Sequence, residues 1–146
     1  MTTASQELSS QNQSITRYDL SQLFSTNFKT ITVNIAASGS DIELTPGVLI
    51  GRIAATGKGA VCKSASDDGS QFPLGICVET KTISDGENAD VQIAVSGRVN
   101  EDKLVFDGTD DLDTDVDDRT FRDRIPADTE GIELDSYNEL TNYEND

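Results

Sequence analysis

Polar and apolar positions along the chain fall into three regimes. Residues 1–14 are mostly Ser, Thr, Gln and Asn, a composition that buries too little apolar area to offset the entropy of ordering it. Ile15, Tyr18, Leu20, Leu23, Phe24 and Phe28 then cluster without a clean period of two, and residues 18–24 suit a helical turn. From Lys29 the pattern becomes strict alternation, with Ile31, Val33 and Ile35 on one side and Thr30, Thr32 and Asn34 on the other. This predicts a half-buried strand.

The turn AASGSD follows, and in IELTPGVLIGRIAA the pair Pro46 and Gly47 suits the central positions of a type II turn between short strands. Gly57 and Gly59 lead into GAVCK, while Asp68-Gly69, Asp85-Gly86 and Asp107-Gly108 punctuate the β-branched runs PLGICVET, ADVQIAVSG and KLVF. Short strands with turn signals at this spacing predict a mainly β protein with a little helix, folded as a small barrel or sandwich. The run DGTDDLDTDVDDRTFRDRI is the helix candidate, because its acids lead and Arg119, Arg122 and Arg124 follow, which complements a helix dipole. Pro126 is expected to stop it, leaving an acidic tail with a short apolar piece at Ile132 and Leu134. The expected organisation is an arm over residues 1–28, a β-rich core over 29–125 and a tail over 126–146.

The formal charge of −16 is unevenly spread. Residues 1–30 are neutral, residues 31–106 carry ten acids against six bases, and residues 107–146 carry fifteen against three. Such acidity repels phosphate backbones and anionic lipid headgroups, so neither nucleic acid nor a membrane is an expected partner. At 146 residues, with 35% apolar and 5% aromatic content, the chain is expected to hold one compact core plus ends that stay outside it. The N-terminus has neither a basic patch nor an apolar run of signal-peptide type, so synthesis in the cytoplasm is expected.

The composition also limits the chemistry. There is no histidine, so two cysteines, Cys62 and Cys77, cannot build a tetrahedral zinc site. Both lie in apolar runs and read as small buried side chains kept reduced. Catalysis would have to run on carboxylates such as Asp67 and Asp68, but these sit in a polar turn, where nothing raises a carboxyl into the range of a general acid. Asp113, Asp115 and Asp117 match the first ligand spacings of an EF-hand loop. That loop then fails, with Asp118 where glycine is needed and Arg124 where a bidentate glutamate is needed. Lys58 between Gly57 and Gly59 has the cadence of a lipoyl or biotinyl lysine without the residues that flank one. No enzyme, cofactor or metal site is therefore expected.

Taken together, LTPGVLIGRIAATGK, SASDDGSQFPLGIC, VQIAVSGRVNEDKLVF and FRDR resemble the head decoration protein family typified by phage lambda, over roughly residues 42–125. The core of the motif is Pro46, Gly47, Gly69, Pro73 and Gly75. The resemblance implies a trimer of small β-rich subunits on the outer surface of an expanded capsid. The major capsid protein of the same phage would be the partner, and the role would be stabilisation of the shell. It also implies that the N-terminal arm makes the capsid contact, with Ile15, Tyr18, Leu20, Leu23, Phe24 and Phe28 as its apolar anchors. The competing expectation is a virion-surface adhesin or fibre domain that binds host glycan or protein, with calcium acting through the acidic C-terminal third.

Overall fold

The alternation that starts at Lys29 becomes strand β1 (Lys29–Ile35). The computed structural model describes residues 23–24 and 27–135. After β1 come β2 (Ile42–Leu44), β3 (Leu49–Arg52), β4 (Gly59–Val61), β5 (Pro73–Cys77), β6 (Lys81–Ile83) and the long β7 (Ala89–Asn100). A 3-10 turn over Glu101–Lys103 leads to β8 (Asp115–Val116), β9 (Arg119–Thr120), helix α1 (Phe121–Asp128) and β10 (Gly131–Asp135). The fold is mainly β with one α-helix of two turns among the described residues.

Five strands close into a barrel in the order β1-β4-β3-β5-β7, because β7 also pairs antiparallel with β1 from Ile35↔Ala89 to Lys29↔Ser96. The β1–β4 seam is the weak one, parallel and with a single residue pair, Ile35↔Gly59. Val33, Ile35, Ile50, Cys77, Val91, Ile93 and Val95 form one buried cluster inside the ring, together with Leu44, Val48 and Ile83. The period of two sends the intervening residues outward. Ile76 and Ala94 therefore join Leu49, Cys62, Val99, Phe121, Ile125 and Ile132 in a second core between the barrel wall, α1 and β10. Closure demands a thin wall at Gly75, where an added methyl group would lie 2.5 Å from the Ala94 carbonyl oxygen.

The expected helix over the acidic run does not form. Residues 107–118 instead turn twice, with Asp110 N–H donating to Asp107 O (3.0 Å) and Thr114 N–H to Asp111 O (3.2 Å). They then enter the β8–β9 hairpin. Asp117 (φ 53°) and Asp118 (φ 72°) are its two tip residues, the signature of a type I′ turn. The physical reason is that aspartates hydrogen-bond nearby backbone groups in non-helical conformations, and a helix would stack Asp111 on Asp115 and Asp113 on Asp117. Helix α1 begins later, at Phe121, with the Thr120 hydroxyl accepting from Asp123 N–H (3.4 Å) as its N-cap. Arg122 and Arg124 consequently lie near its start and not at its end, so the dipole argument fails. Pro126 lies inside the helix. It removes one donor from a helix that ends two residues later, where Thr129 N–H (3.3 Å) and Oγ1 (2.5 Å) both donate to Ile125 O.

Both ends of the core reach further than the alternation indicates. The segment expected to be tail supplies β10, parallel to β7 from Gly131↔Ser96 to Asp135↔Asn100, and Ile132 is fully buried. Before β1, Leu23 (2% exposed) and Phe24 (4%) belong to the second core. The helical turn expected over residues 18–24 falls mostly outside the described residues, as do residues 136–146.

Cys62 and Cys77 are free thiols assigned to different cores. Burial, helped by the nearby Asp110 and Asp128 carboxylates, pushes the Cys62 thiol up from 9.0 to about 12. Burial raises Cys77 too. Between pH 9.0 and about 12 the unfolded chain has therefore released a Cys62 proton that the folded chain still holds. Stability is expected to fall as pH rises through that window, and Cys62→Ala should flatten the fall in urea unfolding followed against pH. Phe24→Ala should cost about 3–5 kcal/mol in the same assay, as expected for a buried aromatic side chain and not for part of a detachable arm.

Candidate functional site

The region with most functional promise is the root around Leu23, Phe24 and Phe28, which follows residues 1–22 in the chain. Phe24 bridges Val99 in the antiparallel sense on the β7 edge that carries β1, while Leu134 pairs with Val99 on the other edge. Phe24 and Phe28 stack with ring centroids 4.2 Å apart and planes 22° apart. Gly97 (φ +129°) makes room for that stack, since a Cβ there would lie 2.9 Å from Phe28 Cβ and 3.3 Å from the Phe24 ring. Lys29 Nζ meets Glu130 Oε2 at 3.2 Å beside it, an exposed pair that contributes little energy. The root is thus held by packing from β7, α1 and β10 together.

Of the six anchors expected to touch a capsid, Ile15, Tyr18 and Leu20 lie outside the described residues. Leu23 and Phe24 are spent on the chain's own core, and Phe28 is half-buried on top of them. The reason is geometric: an apolar cluster before a strand reads the same whether it serves a partner or pins the strand's own entry. Sequence reasoning also missed Gly97 and Ile132 as parts of the root. Ile132 stood out as apolar, but a parallel pairing to a strand more than thirty residues earlier has no local signature.

The motif residues come together along the β3–β5 pair and serve as scaffold. Pro46 and Gly47 form the expected turn, with Val48 N–H donating to Thr45 O (3.3 Å) and Gly47 at φ +107°. Gly47 N–H donates to Cys77 O (2.9 Å), and Gly47 O accepts from Val105 N–H (2.9 Å), so one turn ties β5 to the segment after β7. Pro73 opens β5 opposite Gly51, and Gly75 faces Ile50. Gly69 (φ +102°) sits in a loop that Asp68 O fastens to Ala54 N–H (2.8 Å). From α1, Arg124 spans the FRDR end of the motif. It lies 4.8 Å over the Phe72 ring, donates to Val116 O (2.9 Å) and Asp117 O (2.7 Å), and reaches Asp128 (3.5 Å).

Carboxylates on this surface do turn chemistry. Asp111 Oδ1 accepts from Asp113 N–H (2.9 Å) and the Thr114 hydroxyl (3.2 Å), and the Asp110 carboxylate accepts from Ser64 N–H (2.9 Å) and Oγ (2.6 Å). Among the described residues no three metal-ligating side chains converge. The Ser70 hydroxyl and N–H hold the Asp68 carboxyl below its usual range, the opposite direction from the one a general acid needs. Where β1 and β4 part, a groove of about 530 Å³ opens between Ala36–Ser38 and the residues Ala60, Val61 and Lys63. Asp41, Glu43, Asp107 and Val105, the last 43% exposed, also line it. Asp41, Glu43 and Asp107 along this groove are exposed, so none of them is half of a buried acid–base pair.

A family model described as bacteriophage lambda head decoration protein D matches residues 18–121. No curated protein matches the chain. The match takes in the whole barrel, the motif turns and the root at Leu23 and Phe24, and it reaches back to Tyr18 and Leu20. With most of its length covered in this way, the chain belongs to the phage lambda head decoration protein D family, whose members are structural components of the phage head.

Proposed function

We propose that the chain is a cement of the mature head: a homotrimer that seats on the outer surface of the expanded capsid, binds the major capsid protein of the same phage and stabilises the shell. The observation that carries this reading is the family match over residues 18–121. The geometry supports it through the root. A segment that adheres to another protein resists disruption only if its own attachment does not give. Here that attachment is Leu23 and Phe24, packed against Val99, Ile125 and Ile132.

The division of labour follows from composition. Residues 1–14 lack the apolar content to fold by themselves, yet their backbone groups can add a strand to a neighbouring sheet edge, while Ile15, Tyr18 and Leu20 supply apolar anchors. Stabilisation is then a matter of linkage, because a protein that binds only the expanded shell lowers its free energy relative to immature or broken states. Three arms per trimer add multivalency, so weak single contacts give slow release. No catalytic step is involved.

The core boundary at Leu23 sharpens the test. Deletion of residues 1–22 should leave the thermal midpoint nearly unchanged while lowering affinity for undecorated expanded heads by about 100-fold or more in co-sedimentation, as loss of multivalent contacts requires. Deletion of residues 1–28 should instead destabilise the fold, because it removes Leu23, Phe24 and Phe28. Full-length protein should bind equally well with chelator present. Undiminished binding without residues 1–22 overturns the arm, and binding that vanishes with chelator favours a calcium-dependent adhesin.

A further inference from the structure

Three Asp-Gly peptide units occur in turns, at Asp68-Gly69, Asp85-Gly86 and Asp107-Gly108, and in each the aspartate is exposed. Such a unit carries a latent reaction. The glycine nitrogen, unhindered because no Cβ follows it, can attack the aspartate Cγ. The new C–N bond closes a succinimide, and the carboxyl OH, its proton taken from solvent, leaves as water with the amide proton. Water then opens the ring at either carbonyl. Opening at Cγ restores aspartate, and opening at the main-chain carbonyl leaves isoaspartate, in which the backbone runs through Cβ and the α-carboxylate hangs free. No redox partner is needed, and neither mass nor charge changes.

The fold treats the three units differently. At Asp68, Gly69 N–H is engaged by Gln71 Oε1 (2.8 Å), and the attacked carboxylate is held by Ser70 N–H (3.0 Å) and Oγ (2.5 Å). Those same bonds keep that carboxyl ionised, the poorer electrophile. At Asp85, Gly86 N–H donates to Ser38 O (3.0 Å), and flanking bonds from Asp85 N–H to Asp41 Oδ1 (2.9 Å) and Glu87 N–H to Ser84 O (3.0 Å) fix the turn. At Asp107 neither the carboxylate nor Gly108 N–H has a protein partner among the described residues, and a Cβ added at Gly108 would meet nothing within 4 Å, as at Gly86.

We infer that Asp107-Gly108 is a modification site, the point at which this protein converts spontaneously to isoaspartate while the other two Asp-Gly units are protected by the fold. The consequence is local and structural. The turn closes through Asp110 N–H to Asp107 O (3.0 Å), and the Asp110 carboxylate holds Ser64 by two hydrogen bonds. An extra main-chain methylene at residue 107 moves that carboxylate off Ser64 and loosens the tie between residues 62–66 and the acidic segment. The groove that Asp107 lines changes shape with it.

The test is to age full-length folded protein in water enriched in heavy oxygen at neutral pH, then map the label by peptide mass spectrometry. One heavy oxygen enters each time a succinimide opens. Label at Asp107 should exceed that at Asp68 or Asp85 by roughly tenfold, because an engaged amide must first give up a hydrogen bond. In denaturant the three should label at similar rates. Asp107→Glu, which disfavours the ring, should abolish label at that position and leave the thermal midpoint in place. Equal labelling of the three units in the folded protein, or no label at Asp107, overturns the inference.

Discussion

The constraint on which the rest of the molecule depends is that β7 carries partners on both of its edges. Its first half closes the barrel between β1 and β5, and its second half lies between Phe24 and β10. Val91, Ile93 and Val95 point into the barrel. The register shift opposite Lys29/Thr30 and the positive φ of Gly97 then change the facing, and Val99 enters the second core. One strand thereby joins two cores that would otherwise meet only through the barrel wall, and it makes the entry and exit of the chain part of the same packed unit.

This arrangement explains why a chain of such acidity folds. The acids of residues 107–118 are displayed on turns and a hairpin tip, where each carboxylate meets water or a backbone N–H and repulsion is screened. Of the three arginines in the C-terminal third, two act as cross-links. Arg122 reaches Glu101 at 2.7 Å, and Arg124 gathers Phe72, the hairpin carbonyls and Asp128. Charge supplies local fastening, and apolar burial across β7 supplies the cohesion.

For a head decoration protein this means that a barrel with a second core against its wall follows a polar N-terminal segment in the sequence. The barrel spends its glycines and prolines on turns and close approaches, and none of the motif residues reads as a contact in itself. In the function proposed above, recognition of a shell lies in what the barrel carries. The packing of Leu23 and Phe24 against β7, α1 and β10 ties the start of the described chain into the same core as its last strand.

Local pattern was enough to give the strand at Lys29–Ile35, the Pro46-Gly47 turn, the strand starts at Pro73 and Ala89 and the mainly β class, because a period of two and a positive-φ glycine act within a few residues. It also gave the resemblance that the family match over residues 18–121 bears out. Only the tertiary structure decided the ends. Leu23 and Phe24 read as partner anchors and Ile132 as part of a tail, since burial by a strand far away in sequence leaves no mark on its neighbours. The helix was misplaced for the same reason: a run of aspartates ahead of arginines looks like a complemented dipole until the hairpin and the buried pair Phe121 and Ile125 fix where the first turn begins. Sequence determines what is settled by nearest neighbours along the chain, and closure of a barrel by its longest strand is settled by neighbours in space.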